Sequence, residues 1–367
     1  MRRFVGALVL IVSAGLMVAS CGDDHSGSPS GSTLVFAPEG EDLNVYDAAS
    51  GAKQVLISGN EDESRSDIPA VNGEVCFDPT HKGRFAIADD RTQPNPPPHW
   101  TIMQLHGSRI GELSYDELGR VTPTYQGDNA DPVGCAYMRD GRLLTTDIGN
   151  DRLGPGNGQL TMWFTPVGEG AAHSCKLDIT IGTAGAVLVD AQDHIYVASA
   201  RNTPAIYRYS PPYPTSDTAD GGCGGIDETG APLVDTIQKE LFTSKIATPN
   251  AIVASPHGTF YVSSILSGQI GEFDADGHLI RRVLQPPTGE HLGPQPYSTG
   301  SPFGLGIDSH GTLYYSDLGL IIAPGGIGPG HRLGTVRRVT FVDGEPQPPE
   351  TLDAGLNFPD GIGVFTP

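Results

Sequence analysis

The feature that most constrains the fold is a strand–turn–strand pattern, seen most clearly in Thr248–Gly277 (TPNAIVASPHGTFYVSSILSGQIGEFDADG). Asn250 begins an apolar strand, a glycine turn follows, and Tyr261 lies in a second strand eleven residues after Asn250. Ile270 and Phe273 lie three residues apart in a third strand, which ends at another glycine turn. Short apolar runs bounded by Gly, Pro, Asn and Asp are typical of antiparallel strands.

The spacing between the first and second strands recurs along the chain. It is eleven residues, or twelve in the first case, in the pairs Gly73/Phe85, Val133/Leu144, Gly185/Tyr196 and Phe303/Tyr314. A sixth copy is split between the two termini. Pro359–Phe365 (PDGIGVF) has the pattern of a first strand, and the segment that begins at Thr33 (TLVFA, LNVYD and KQVLI) supplies three more.

A four-stranded unit cannot bury both of its faces alone, whereas a closed ring of such units can. Closure also removes exposed strand edges. The sequence therefore predicts an all-β fold, a six-bladed β-propeller of four-stranded blades over residues 33–367. The ring is expected to close where the C-terminal first strand pairs with the N-terminal strands.

Composition agrees with a β fold and limits the partners. The 367 residues include 49 Gly and 31 Pro without a collagen-like period, and no long stretch has convincing helical periodicity. With 22 basic and 43 acidic side chains, the formal net charge is −21 at pH 7. A surface this acidic repels phosphate backbones, so we expect no nucleic-acid partner.

The N-terminal residues have the pattern of an export signal. A basic start precedes a mostly apolar run, and small residues stand directly before Cys21. This context resembles the lipobox of bacterial lipoproteins, which implies cleavage before Cys21, acylation of its thiol and a lipid bilayer as partner. The alternative is an ordinary signal peptide that happens to have a cysteine there.

We therefore expect a signal peptide over residues 1–20, followed by a lipidated cysteine and flexible tether over residues 21–32. The expected location is the bacterial cell envelope, outside the cytoplasm. Gly22 is not Asp. By resemblance to lipoprotein sorting in Gram-negative cells, this residue favours the outer membrane.

Four cysteines remain after Cys21, and an even number in an exported protein suggests disulfides. Cys175 and Cys223 lie in loop-like surroundings, whereas Cys76 and Cys135 lie in the predicted innermost strands of consecutive repeats. Pairing like with like predicts Cys76–Cys135 and Cys175–Cys223 bridges. The alternative for Cys76 and Cys135 is a pair of buried free thiols.

The segment PNAIVASPHGTFYVSS…GQIGEFDADG resembles an NHL repeat. The whole array is similar to the six-bladed propeller superfamily shared with the gluconolactonase and senescence-marker-protein family. The resemblance covers nearly all of residues 33–367 and implies the fold. It implies function only loosely, because this architecture hosts binders, scaffolds and hydrolases alike.

In the gluconolactonase-like family, a Glu, Asn side chains and an Asp at the strand starts hold a divalent metal. Asn250 and Asp360 match that pattern residue by residue, whereas Glu74 lies one position late, and such a shift turns a side chain to the other face. The remaining strand starts provide no ligand: Val133, Gly185 and Phe303. The resemblance thus offers calcium as a candidate cofactor with few ligands. The alternative is that Asn250 and Asp360 cap loops.

Antiparallel pairing places the starts of the first strands and the loops after the second strands on one face. The longest loops of that face are Asp90–Trp100, Asp147–Gly158 and Leu318–Leu333. Long loops on one face are a usual place for binding, although they are also tolerated as plain insertions. The candidate ligand-facing residues are Trp100, Asn150, Phe303 and His331. Phe303 alternatively plugs the axial channel.

Catalytic signals are sparse. Asp147, Asp317 and His331 are the candidates for acid–base chemistry, with a solvated loop histidine as the alternative for His331. The leading hypothesis is a lipid-anchored, extracytoplasmic propeller that binds a ligand or protein partner on its loop-rich face. The alternatives are a calcium-dependent lactonase or esterase of the gluconolactonase-like class, and a structural component of the cell envelope.

Overall fold

The computed structural model describes residues 32–59, 70–89, 97–123, 131–149, 158–167, 173–201, 203–220, 222–286, 300–323 and 326–367. The predicted signal peptide, Cys21, nearly all of the tether and Asn150 lie outside these residues. Gly31–Pro367 form one compact unit. Among the described residues, no helix is long and apolar enough to span a bilayer.

Six four-stranded antiparallel sheets form the blades. The first three strands are β1 (Leu34–Glu39), β2 (Asp42–Asp47) and β3 (Lys53–Ile57), and with the last strand, β30 (Gly363–Phe365), they form blade 6. Blade 1 is β4 (Val71–Phe77), β5 (Arg84–Asp89), β6 (His99–His106) and β7 (Ser114–Val121). Blade 2 is β8 (Pro132–Tyr137), β9 (Leu143–Asp147), β10 (Gly158–Trp163) and β11 (Ser174–Ile181).

The other three blades continue the series. Blade 3 is β12 (Ala184–Val189), β13 (Ile195–Ser199), β14 (Ala205–Ser210) and β17 (Gln238–Thr243). Blade 4 is β18 (Pro249–Ala254), β19 (Phe260–Ser264), β20 (Gln269–Phe273) and β21 (Leu279–Leu284). Blade 5 is β22 (Pro302–Ile307), β23 (Leu313–Asp317), β26 (Gly334–Val339) and β29 (Glu350–Leu356).

Short elements decorate the loops. They are the two-stranded pairs β15 (Ser216–Asp217) with β16 (Cys223–Gly224), β24 (Leu320–Ala323) with β25 (Gly326–Pro329) and β27 (Phe341–Val342) with β28 (Glu345–Pro346), and the helix α1 (Leu233–Thr236). The described part of the chain is therefore almost entirely β-structure, as the turn-rich sequence predicted.

The split sixth blade closes the ring, which confirms the prediction from the sequence. Its strand order is β3–β2–β1–β30. Leu34 pairs with Phe365, and Phe36 pairs with Gly363, so the two ends of the chain share one antiparallel ladder. Pairing the termini in one sheet leaves no open edge at the seam of the ring.

The core consists of six apolar clusters, and each cluster lies between two neighbouring blades. Representative pairs across successive interfaces are Phe36 with Phe85, Trp100 with Trp163, Leu160 with Ile195, Tyr196 with Val262, Ile270 with Leu313, and Tyr314 with Val35. Because every blade buries both faces against its neighbours, the ring is continuous. This confirms the six-bladed architecture.

Both predicted disulfides are present. Cys76 in β4 is bonded to Cys135 in β8, so this bridge joins the innermost strands of blades 1 and 2. Cys175 in β11 is bonded to Cys223 in the β15–β16 insertion. The alternative of free thiols at Cys76 and Cys135 is therefore wrong.

Candidate functional site

One position near the start of each innermost strand lies at the same level around the axis. We call these six positions the ring residues: Gly73, Val133, Gly185, Asn250, Phe303 and Asp360. We call the end of the propeller axis that they surround the mouth. In blades 2 to 5 the first ladder has a β-bulge here. For example, Pro249 pairs with Ser264 and Ile252 pairs with Val262, which leaves Asn250 and Ala251 opposite a single residue. A bulge re-aims the side chains next to it.

The ring backbones approach one another too closely for larger residues. A Cβ on Gly361 would lie 1.7 Å from the carbonyl oxygen of Gly73. A Cβ on Gly185 would lie 2.6 Å from the carbonyl oxygen of Asn250. Since such distances are below van der Waals contact, glycine at these positions permits the tight closure of the ring.

Hydroxyl groups on the second strands form hydrogen bonds with the backbone at the bulges. These residues are not among the site residues predicted from the sequence. The Ser263 hydroxyl accepts a 3.0 Å hydrogen bond from Ala251 N and donates a 2.7 Å bond to the Phe303 carbonyl in the next blade. Thr146 makes the same pair of bonds to Gly134 N and the Gly185 carbonyl. The signal in the sequence is Ser or Thr just before the last residue of a second strand.

Asp360 is the most unusual of the ring residues. Its side chain is 4% exposed, and Oδ2 accepts a 3.0 Å hydrogen bond from Gly73 N. The other carboxylate oxygen, Oδ1, is buried and has no hydrogen-bond partner among the described residues. Burial is the main cause that raises the pKa of Asp360 to about 7, and the Asp131 carboxylate adds to this effect.

Glu74, one residue after the ring position of blade 1, extends into the axial channel. Its carboxyl group accepts backbone hydrogen bonds from Cys135 and Val187 in the next two blades. Burial raises the pKa of Glu74 well above its usual range, and the nearby Asp360 carboxylate raises it further. Gly73, rather than Glu74, is the ring residue of blade 1, because Gly73 makes the same close approach to Val133 as Gly185 makes to Asn250.

The channel below the mouth is a narrow cavity of about 310 Å³. Its walls are the innermost strands of all six blades, with Glu74, Val187, Ile252, Leu305 and Ile362 among the lining residues. Glu74 is half-buried by surface area because it faces this cavity, which the innermost strands of all six blades surround. Such surroundings disfavour an ionised carboxylate.

Asn250 and Phe303 stand side by side on the ring. The Asn250 amide nitrogen donates a 3.4 Å hydrogen bond to the Phe303 carbonyl, and its amide oxygen lies beside Gly185. Phe303 is half-buried and belongs to none of the six apolar clusters that form the described core. The Phe303 side chain is thus an aromatic group among the ring residues that does not pack in the apolar core.

Asp147 and Asp317, two of the candidate catalytic residues, accept hydrogen bonds from the backbone of neighbouring loops. Asp147 accepts hydrogen bonds from the backbone nitrogens of Asp131 (3.0 Å) and Gly149 (2.9 Å). Asp317 accepts bonds from Ser301 N at 2.8 Å and Gly319 N at 2.9 Å. Such bonds to backbone amides are typical of Asx capping, so both side chains have a structural role whether or not they also act in chemistry.

The structure corrects the expectation for Trp100 and locates His331. Trp100 is 0% exposed and packs between blades 1 and 2, so it is not a platform on the loop-rich face. The sequence predicts a loop that ends at Trp100, whereas β6 already begins at His99, and this strand directs the indole into the core. His331 is exposed just after the β24–β25 hairpin.

The proposed metal ligands fit a calcium ion only in part. Asp360 Oδ1 is an available buried oxygen, and Asn250 is at the matching ring position. The Glu74 carboxyl group, however, is already bound to two backbone amides. Calcium takes six to eight oxygen ligands, and Val133, Gly185 and Phe303 offer no side-chain oxygen.

A second cluster, Asp274, Asp276 and His278, lies in the exposed turn between β20 and β21. Asp274 accepts hydrogen bonds from Asp276 N (3.0 Å) and His278 N (2.8 Å). These bonds account for the cluster as a turn motif.

Known structures share the fold of this chain at low sequence identity. A luciferin-regenerating enzyme superposes with a TM-score of 0.54 and 13% identity, over 90% of this chain and 92% of that chain. TolB from Acinetobacter baumannii gives a TM-score of 0.52 and 13% identity, over 90% of this chain and 66% of that chain. A putative gluconolactonase gives a TM-score of 0.44 and 12% identity over 79% of each chain.

No model of a known protein family matches the sequence, and no curated protein matches it. At these identities a structural likeness shows the fold alone, because one fold hosts many activities. The chain is thus a six-bladed β-propeller that shares its architecture with the luciferin-regenerating enzyme and TolB.

Proposed function

We propose that this protein is a lipid-anchored, extracytoplasmic propeller that binds a small ligand at the mouth of its channel. The observation that supports this function is the Asp360 carboxyl group, which is buried on the ring with one oxygen that has no described hydrogen-bond partner. A buried carboxylate is unfavourable unless it is paired, and a buried group with such a shifted pKa on the axis of the propeller is a candidate for ligand contact.

The geometry of the N-terminus is compatible with an anchor. The chain enters the propeller at β1, where Leu34 pairs with Phe365. Phe365 is at the end of β30 remote from Asp360, so the mouth is on the face opposite the entry point. The two disulfides agree with an oxidising compartment.

The ligand-binding claim is tested by thermal-shift screening of the purified protein against small molecules grouped by charge. Wild type and Asp360→Asn are compared, with Asp276→Asn as the matched control, because Asp276 is exposed and distant in sequence from the ring. We expect compounds that stabilise wild type and the control but not Asp360→Asn. If no compound stabilises wild type, or if every hit also stabilises Asp360→Asn, binding at the mouth is refuted.

The anchor is tested by fractionation of cells that express the protein. Cys21→Ser is expected to move the protein from the membrane fraction to the soluble fraction. An unchanged membrane fraction would refute lipidation at Cys21.

A second function, calcium-dependent hydrolysis of a lactone or ester, is favoured by the placement of Asp360 and Asn250 on the same ring. These two residues would hold the ion, and a bound calcium ion polarises a carbonyl group. We expect calcium to raise the melting temperature of wild type, chelator to reverse the effect, and Asn250→Ala to abolish it. A melting temperature that is the same in calcium and in chelator would exclude this function.

A further inference from the structure

Among the described residues, no ion pair joins Asp360 or Glu74 to a cationic side chain. The charged side chains that shift the pKa of Asp360 and Glu74 are both carboxylates, Asp131 for the former and Asp360 for the latter. Each additional negative charge raises the free energy of ionising the next carboxyl group. A ligand that brings a positive charge would therefore relieve the repulsion, whereas an anionic ligand would add to it.

The hydrogen-bonding groups at the mouth are mainly acceptors. Asp360 Oδ1 is buried without a described donor, and the Asn250 nitrogen is already committed to the Phe303 carbonyl, which leaves its oxygen beside Gly185. An ammonium group has three donors and no acceptor, so it suits such a set.

The third group that we consider at the mouth is the aromatic side chain of Phe303. Phe303 is the ring residue next to Asp360, since Gly304 packs directly against Gly361. It is half-buried and takes no part in the apolar clusters of the described core. An aromatic side chain and a carboxylate on neighbouring blades suit an organic cation that reaches both, because the aromatic face attracts the charge and covers the hydrocarbon.

A bare metal ion fits the same residues less well. Calcium prefers six to eight oxygens, but four of the six ring residues have none in their side chains, and the Glu74 carboxyl group is bound to the backbone of two other blades. An ammonium group needs fewer acceptors and gains from an apolar surface that a metal ion does not use.

We propose that the mouth binds an organic cation, a primary alkyl- or arylalkylammonium, with its nitrogen on the Asp360 carboxylate and its hydrocarbon part against Phe303. This inference rests on the proposed function and specifies its ligand class. Asn250 supplies a second acceptor through its amide oxygen. Glu74 closes the channel below the ligand.

The test is calorimetric titration of the purified protein with benzylamine at about pH 8 in chelator. Benzyl alcohol serves as the neutral probe of similar shape. We expect saturable binding of benzylamine and much weaker binding of benzyl alcohol. Asp360→Asn is expected to lower the affinity for benzylamine roughly 10- to 100-fold, as expected for the loss of a hydrogen bond to a charged group. Phe303→Leu, which keeps an apolar side chain, should weaken it about 2- to 5-fold.

Asp276→Asn is the control for a change of charge and should leave the affinity unchanged. Equal binding of benzyl alcohol, or equal benzylamine affinity of wild type and Asp360→Asn, would overturn the proposal. Stabilisation by calcium but not by benzylamine would favour the metal-dependent function instead. If the thermal-shift screen yields only neutral or anionic hits that depend on Asp360, ligand binding at the mouth stands and the ammonium class is wrong.

Discussion

Replacing Asp360 by asparagine is expected to stabilise the ligand-free protein, and the gain should grow with pH. The folded protein raises the pKa of this carboxyl group from 3.8 to about 7, mainly by burial. Below about pH 4, Asp360 is protonated in the folded and unfolded states, so it causes no penalty. As pH rises, the unfolded chain ionises first and the folded state loses relative stability, until the loss is complete above about pH 7.

The shift of about three pKa units corresponds to about 4 kcal/mol at pH 8, since one unit is worth about 1.4 kcal/mol. Asparagine keeps an oxygen that can accept the Gly73 N–H bond, so the geometry is retained. For a domain of this size, 4 kcal/mol is about 6 °C in melting temperature.

Unfolding of wild type, Asp360→Asn and Asp276→Asn is measured from about pH 4 to pH 8 in chelator, without added ligand. The advantage of Asp360→Asn over wild type should be near zero at pH 4 and largest at pH 8. Asp276→Asn should show no such trend, because Asp276 is exposed. If Asp360→Asn is less stable than wild type at pH 8, or if the difference in stability does not depend on pH, then Asp360 is not a buried carboxyl group that lacks a cationic partner.

Three other changes test the ring. Replacing Cys76 and Cys135 by alanine opens a loop of 59 residues and should lower the free energy of unfolding by about 4 kcal/mol in denaturant titrations; an unchanged midpoint would contradict a role in joining blades 1 and 2. Deleting Pro359–Pro367 removes β30 and should abolish the cooperative unfolding transition; a truncated protein with the full transition would show that the ring does not need this strand. Ser263→Ala leaves Ala251 N without its hydroxyl acceptor and should cost about 1–3 kcal/mol by thermal unfolding, whereas the exposed Ser50→Ala should cost less.

The repeat spacing was sufficient to predict the architecture. It identified the innermost strands and the split blade, because a closed ring stacks six similar units. Both disulfide pairs were predicted by pairing cysteines with similar strand or loop surroundings, with free thiols as the alternative for Cys76 and Cys135. It also placed Asn250 and Asp360 at matching ring positions, since both follow a proline at the start of a first strand. These features depend on local patterns that repeat.

The details of the mouth could not be predicted in the same way. The β-bulges depend on hydrogen bonds between blades, such as those of Ser263. A Ser or Thr recurs at this position of the second strand, but a single repeat does not show which backbone group of the next blade it binds. The direction of the Glu74 side chain depends on backbone amides of Cys135 and Val187, which are distant in sequence. Trp100 was assigned to a loop because a proline run precedes it, but tertiary packing extends the strand to include it.

The most direct test of ligand binding at the mouth is a measurement of the pKa of Asp360. Carbon-13 NMR of protein labelled at aspartate carboxyl groups follows each titration, and Asp360→Asn identifies the resonance. We expect one carboxyl signal that titrates near pH 7 in ligand-free protein, is missing from the variant, and shifts to a lower pKa when benzylamine is bound. If the signal lost in Asp360→Asn titrates near the ordinary value of about 3.9, the mouth does not contain the buried, unpaired carboxyl group on which ligand binding rests.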